Sequence, residues 1–146
     1  DFFFTCPPYA DMEKYSDLEE DLSNMDHDEF FEIYRKCLTN TYSKLKDNRF
    51  AVVVVSEVRG PDGNFISLVP KTVGIMLRAG YKYYNEMILL NQVGTLAMRA
   101  GQYMKKSRKI GRLHQNVLVF YKGDLALIKE EFEGGLDSFD WTNKQK

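Results

Sequence analysis

The chain has 146 residues, of which 44% are hydrophobic and 14% aromatic, and its 20 Lys and Arg nearly balance its 21 Asp and Glu. This composition excludes an intrinsically disordered chain and fits one globular domain with a hydrophobic core. The two cysteines, Cys6 and Cys37, are too few for a disulfide framework, and with His27 and His114 they lack the spacing of a zinc site. We therefore expect reduced thiols and no metal site.

The sequence shows neither a membrane span nor a signal peptide. No segment approaches the roughly 20 apolar residues that cross a bilayer, and the N-terminus lacks the basic-then-apolar order of a secretory signal. We therefore predict a cytoplasmic protein without membrane contact. Asp1 to Thr5 is already a strand-like aromatic run with no initiator Met and no leading loop. This start predicts that the chain is part of something longer.

Charge is distributed unevenly along the chain. Asp11 to Glu32 contains ten acidic residues against one lysine, which predicts a stretch that repels phosphates. Arg99 to His114 contains cations and no acid, interleaved with glycine and serine, which indicates a flexible basic loop over residues 94–115. The candidate DNA-binding residues there are Arg99, Lys105, Lys106, Arg108, Lys109 and Arg112. A solvated surface loop would show the same pattern, so both interpretations stay open at this point.

Hydrophobic patterning in the first half of the chain predicts a strand, a helix and a second strand. Phe2 to Thr5 has the composition of a strand, and Asp26 with Glu29 three residues later is typical of a helix start. We predict that this helix continues to about Lys46. The uninterrupted run Phe50 to Val55 predicts a strand buried on both faces, as in a parallel sheet covered by helices on both sides.

The second half of the chain continues the alternation. A helix with Pro70 in its first turn is predicted to end at Gly80. Tyr81 to Leu90 and Asn116 to Tyr121 follow as strands that could pair antiparallel. The order predicts an α/β fold with a mainly parallel sheet and a C-terminal antiparallel strand pair, with ligands outside the carboxyl ends of the parallel strands. Residues 125–146 are predicted to form an amphipathic segment and a polar tail.

One short motif carries clear chemical content. Thr5-Cys6-Pro7-Pro8-Tyr9 follows the first strand directly, at the edge where ligands of such sheets bind. Two prolines fix φ and lack an N–H, so the carbonyls beside them stay rigid and free to accept hydrogen bonds. With the Tyr9 ring as a stacking surface, these acceptors suit a planar base that carries an exocyclic amino group. A Pro-Pro turn that merely ends the strand would use the same residues.

The same acceptors suggest a mechanism for chemistry at such an amino group. An amino nitrogen conjugated to a base is a poor nucleophile. Acceptors that bind its hydrogens shift electron density onto the nitrogen and aim its lone pair at an electrophile. The motif therefore predicts catalysis by positioning and by fixed dipoles.

The Cys6-Pro7-Pro8-Tyr9 motif resembles the (Asp/Asn/Ser)-Pro-Pro-(Tyr/Phe/Trp) motif of S-adenosylmethionine-dependent amino-methyltransferases, which modify adenine N6 or cytosine N4 in DNA. Four further segments resemble phage- and plasmid-type DNA methylases of this group. They are Asp21 to Met25, Val55 to Arg59, Tyr83 to Glu86, and Arg108 to Phe120. The resemblance covers roughly Asp1 to Asp124. It implies that residues 1–124 are the catalytic half of a methyltransferase domain with a Rossmann-like fold.

The resemblance implies methyl transfer from S-adenosylmethionine to the amino group of a flipped base, with adenine N6 favoured over cytosine N4. The candidate catalytic residues are then Cys6, Pro7, Pro8 and Tyr9. Tyr9 would stack on the base, and the Pro7 carbonyl would accept an amino hydrogen. Cys6 departs from the family pattern and its sulfur is a weak acceptor, so backbone carbonyls or Thr5 would compensate, or the rate would be low. A Cys6 that attacks a pyrimidine ring, as in a different methyltransferase group, is the alternative.

Cofactor binding is harder to place. The glycine-rich strand-to-helix turn that holds the methionine end of the cofactor in this family is absent from the sequence, and Thr5 is the one weak candidate contact to S-adenosylmethionine. The resemblance therefore implies a cofactor-binding half upstream or on a partner chain, which would cover the edge of the first strand. Two rival functions stay open: a non-catalytic nucleic-acid-binding module, and a methyltransferase for a protein glutamine side chain.

Overall fold

A computed structural model of the protein describes residues 1–9 and 14–133. Strands and helices alternate along most of this length. The strands are β1 (Phe3–Thr5), β2 (Arg49–Val55), β3 (Lys82–Leu90) and β4 (His114–Lys122), and the helices are α1 (His27–Lys44), α2 (Leu68–Ala79), α3 (Leu96–Ser107) and α4 (Ile128–Glu131). Within these residues no helix has the length and apolar character needed to cross a membrane. Most of the predicted polar tail lies outside the described residues.

The four strands form one mixed sheet in the order β1-β2-β4-β3. β1 pairs with β2 in parallel, whereas β4 runs antiparallel to both β2 and β3. The predicted antiparallel pairing of the last two strands is confirmed. The prediction of a mainly parallel sheet is wrong, because β4 returns into the space between β2 and β3. Those two strands point the same way, but they are not hydrogen-bonded neighbours.

Local sequence signals set the ends of the first two helices. The carboxylate of Asp26 accepts a hydrogen bond from the backbone N–H of Glu29 at 2.9 Å, which confirms the predicted start of α1. α1 ends at Lys44, two residues before the predicted end. Gly80 follows α2 with φ of 109°, a left-handed conformation that glycine adopts without strain. These two helices therefore begin or end where capping chemistry predicts.

Helices α1 and α2 pack on one face of the sheet and form the core there. Tyr34 of α1 and Thr72 of α2 share a hydrogen bond of 2.8 Å inside this core, and burial raises the pKa of Tyr34. The sheet contributes the alternate residues that point to this side. The buried cluster includes Phe30, Tyr34, Leu38, Ala51, Val53, Val55, Leu68, Ile75, Met76, Leu118 and Phe120.

The opposite side of the sheet, here called the open face, is packed mainly by strand residues, and Phe132 after α4 lies against Phe50 there with ring centroids 5.3 Å apart. Val52 and Val54 are buried there against Val119. The prediction that helices cover both sides of β2 is wrong for the described residues, because neighbouring strand side chains shield these valines. The open face keeps exposed apolar groups and carries a shallow groove. Its residues include Phe2, Phe4, Phe50, Val52, Tyr84, Met87 and Val119.

Helix α3 replaces most of the loop predicted over residues 94–115, so that prediction is wrong. Gly101 lies in the middle of α3, where a glycine costs about 1 kcal/mol relative to alanine. The residues around it, such as Ala97, Met98 and Met104, are good helix formers and outweigh that cost. Lys105 and Lys106 in the last turn add favourable interactions with the helix dipole.

Candidate active site

The Cys6-Pro7-Pro8-Tyr9 turn lies at the carboxyl end of β1, where the sequence predicts it. Thr5 is the last residue of β1 and pairs with Val53 of β2, so the turn leaves the sheet beside the end of β2. The Cys6 thiol is free and exposed, and both prolines are partly exposed. The turn therefore lies at the carboxyl edge of the parallel pair β1 and β2, with Cys6 exposed to solvent.

Tyr9 links this turn to the start of β4. Its ring packs against the edge of the core, and its hydroxyl donates a hydrogen bond to Oε1 of Gln115 at 2.9 Å. Because β2 lies between β1 and β4, the segment from Cys6 to the Tyr9 hydroxyl crosses the carboxyl end of β2. The ring is thus held at both ends, by the proline turn and by Gln115.

Gln115 also contacts the segment that carries α3. Its side-chain amide donates to Oδ1 of Asn91 at 3.3 Å, and the backbone N–H of Asn91 donates to the carbonyl of Leu113 at 2.8 Å. Asn91 and Leu113 therefore hold together the two ends of the segment between β3 and β4. This segment, Asn91 to Leu113, contains α3 and is here called the excursion. Sequence reasoning missed Gln115 and Asn91, and the one signal for Gln115 was a polar residue at the start of an otherwise buried strand.

A second group of polar side chains fixes the start of β4. Ser56, just after β2, donates its hydroxyl to the carbonyl of His114 at 3.2 Å, and Nε of Arg112 donates to the same oxygen at 3.2 Å. The Arg112 guanidinium also bonds to the side-chain oxygen of Asn116, whose amide donates to Glu86. In this structure the Arg112 guanidinium, which is predicted to contact DNA, therefore donates its hydrogen bonds to oxygens on β4.

The other predicted cations lie on and just after α3. Arg99, Lys105 and Lys106 are exposed on α3, Arg108 caps its end, and Lys109 follows partly buried. Arg99 and Lys106 are seven residues apart, a spacing that places them on one helix face. Within residues 1–9 and 14–133 none of these cations forms a salt bridge. The charges of Arg99, Lys105, Lys106 and Arg108 therefore face solvent, on the segment between Asn91 and Leu113.

Glu57, which follows β2 at the same sheet edge, has a structural role. Its carboxylate accepts hydrogen bonds from the backbone N–H groups of Leu68 and Val69 at 3.2 and 3.0 Å. Ser67, at the N-cap position of α2, makes no side-chain cap bond. Glu57 thus caps α2 from the end of the preceding strand. The neighbouring Arg59 lies over the ring of Phe65 at 4.1 Å and stabilises the intervening turn.

We expect Glu57→Ala to lower the free energy of unfolding by about 1–2 kcal/mol, because two backbone donors at the start of α2 lose their acceptor. Urea unfolding followed by circular dichroism measures this change. The matched control is Glu19→Ala, at an exposed glutamate of the acidic stretch. Equal loss of stability in both variants would contradict the capping role of Glu57.

Comparison with known proteins supports the architecture. No family model and no curated protein matches this sequence. Two solved structures of TTHA0409 from Thermus thermophilus, a candidate DNA modification methylase, are similar to 84% of the chain at 15% identity. The selenomethionine derivative gives a TM-score of 0.59, and the complex with S-adenosyl-L-methionine gives 0.56. This chain has a methyltransferase-like fold. It spans less than half of TTHA0409, since the matches cover 44% and 47% of that chain.

The described residues do not fit the role of a cofactor cradle. Close approach to a nucleotide requires a glycine-rich turn between a strand and a helix. β1 leads instead into two prolines, and β2 leads to Glu57, whose carboxylate already occupies the N-terminus of α2. Thr5 pairs with β2 as part of the strand. The described residues therefore contain the proline turn after β1 and no glycine-rich turn between a strand and a helix.

Proposed function

We propose that this chain is the catalytic half, over residues 1–124, of a DNA amino-methyltransferase that favours adenine N6 over cytosine N4. The observation that carries the proposal is the Pro-Pro-Tyr turn at the carboxyl end of β1, with Tyr9 bonded to Gln115 at the base of a basic excursion. The turn suits a base with an amino group, and the excursion suits the DNA around that base. The preference for adenine comes from the sequence resemblance.

In this proposal the turn prepares the amino group for attack. The Tyr9 ring stacks on the flipped base, and the carbonyls of Cys6 and Pro7 accept the amino hydrogens. These acceptors are preorganised, since the prolines fix the backbone before the base arrives. S-adenosylmethionine, when bound, supplies an electrophilic methyl group. Pro8 acts by setting the direction in which Tyr9 leaves the turn.

Cys6→Ser separates the two roles proposed for Cys6. If backbone carbonyls bind the amino group, serine at this position keeps the rate of methyl transfer within about threefold or raises it, since a hydroxyl is a better acceptor than a thiol. If Cys6 attacks the base, the same change lowers the rate by orders of magnitude. We expect the first result in an assay of labelled methyl transfer to DNA. Cys37→Ser, at the other exposed free cysteine, is the matched control.

The exposed cations would hold the DNA. The exposed side chains of Arg99, Lys105, Lys106 and Arg108, with the partly buried Lys109, provide positive charge that no salt bridge among the described residues neutralises, and Arg112 would join them if DNA replaces its contacts on β4. A helix with cations on one face can follow the phosphate backbone and leave base recognition to other groups. DNA and S-adenosylmethionine are thus the proposed ligands.

The cofactor would be held by a second half of the fold, on a longer polypeptide or on a partner chain. Among the described residues, β1 is paired on one side only, by β2. Phe2 just before β1 and Phe4 within it are 61% and 57% exposed on the open face. An unpaired edge next to an apolar surface fits the addition of further strands and a covering layer of helices. The length of TTHA0409, more than twice the matched part, agrees with such a second half.

Two measurements on one sample test the proposal. The chain is titrated with S-adenosylmethionine by calorimetry, and transfer of a labelled methyl group to mixed-sequence DNA is measured on the same sample. Both measurements are made first on the chain alone and then on the chain together with its cofactor-binding half. We expect transfer to DNA only when that half is present. Label in protein instead of DNA would favour a glutamine methyltransferase, and DNA binding without any transfer would favour a binding module. Cofactor binding by the chain alone would contradict the separate cofactor half.

A further inference from the structure

We infer that Gln115 is a positioning residue that fixes the Tyr9 ring for the base and connects it to the DNA-binding excursion. This inference rests on the proposed function. Neither residue lies near the other in sequence, since 106 positions separate them, yet their side chains are hydrogen-bonded at 2.9 Å. The contact brings the turn after β1 to the start of β4.

The Tyr9 ring needs such a contact to hold one orientation. A tyrosine side chain rotates about two torsions, and a stacking ring is useful only in the plane that the flipped base will occupy. The core packs against the ring on one side, and the bond from the hydroxyl to Gln115 fixes its far end. A small rotation of the ring would misplace the amino group relative to the acceptors of the turn.

Gln115 suits this position because an amide both accepts and donates. Its Oε1 accepts from Tyr9, and its amide nitrogen donates to Asn91 at 3.3 Å. Asn91 is bonded through its backbone to Leu113, so these two residues hold the ends of the excursion that contains α3. A change in that excursion when DNA binds would therefore reach Tyr9 through the Gln115 side chain.

A double-mutant cycle tests the inference. Tyr9→Phe keeps the ring and removes the hydroxyl, whereas Gln115→Ala keeps the hydroxyl and removes its acceptor. We expect each change to lower kcat about tenfold with the Kd for DNA within about twofold, and the double variant to be no slower than either single variant. Gln115→Glu retains an acceptor and is expected to keep kcat within about threefold. Asn40→Ala, at an exposed amide on α1, is the matched control and should behave like the wild type.

The outcomes separate this inference from the proposed function. The assay uses the protein together with its cofactor-binding half and labelled methyl transfer to DNA. Additive losses in the double variant, or a normal kcat in Gln115→Ala, would overturn the inference while methyl transfer itself stands. Absence of transfer by the wild type would overturn both. A purely structural role for Gln115 would lower thermal stability and DNA affinity together with kcat, whereas a positioning role lowers kcat alone.

Discussion

Tyr9→Ala is expected to lower the rate of methyl transfer about 100-fold and to leave DNA affinity within about twofold. Misplacement of the base relative to the acceptors of the turn costs about two orders of magnitude in rate. The affinity is retained because the phosphate contacts proposed for α3 do not involve Tyr9. Single-turnover transfer of a labelled methyl group measures the rate, and fluorescence anisotropy of labelled DNA measures the affinity.

The control for Tyr9→Ala is Tyr15→Ala. Tyr15 is 64% exposed on the acidic connection after the motif, and its removal should change neither rate nor affinity by more than about twofold. Tyr9→Phe should fall between wild type and Tyr9→Ala, because it keeps the stacking ring and loses the bond to Gln115. A Tyr9→Ala variant with wild-type transfer would contradict the base-stacking role and with it the mechanism proposed for the turn.

Except for helix α3, the main elements of the fold were predictable from local signals, whereas the order of strands was not. Asp26 has a side chain that caps α1, and the valines of Phe50 to Val55 favour a strand. Gly80 adopts the left-handed conformation that ends α2. Each of these local structures follows from its own residues. The position of β4 in the sheet depends on which strands still have an unpaired edge when the chain folds back onto the sheet. Alternating strands and helices suggest parallel neighbours, and no local residue signals that β4 inserts between β2 and β3.

The same limit applies to the candidate site. The turn from Cys6 to Tyr9 was predictable because its chemistry is contiguous in sequence. Gln115 and Asn91 were not, since their role depends on a contact between the end of β1 and the start of β4. Glu57 shows that position at a strand end does not by itself identify a ligand-binding side chain. A charge at the carboxyl end of a strand suggests a ligand, and in the structure that carboxylate binds the backbone of α2.

Neutralising the cations of the excursion is expected to weaken DNA binding about 100-fold near physiological salt. The variant changes Lys105, Lys106, Arg108 and Lys109 to glutamine. Each cation that contacts a phosphate of duplex DNA contributes about 0.9 to the slope of log affinity against log salt, so the slope should fall by about 3 to 4. Anisotropy titrations between roughly 50 and 200 mM salt measure both quantities. The whole chain has a net charge of −1, so binding depends on this local concentration of positive charge.

The control variant removes the same number of positive charges, but from exposed positions outside the excursion. Glutamine at the exposed positions Lys44, Arg78, Lys82 and Lys129 also removes three lysines and one arginine. If both variants weaken binding equally, DNA senses only the total charge, and α3 is not the contact surface. If only the excursion variant weakens binding, its residual methyl transfer at saturating DNA becomes informative. The bond between Gln115 and Tyr9 is untouched in that variant, so kcat should recover once enough DNA is present to occupy the site.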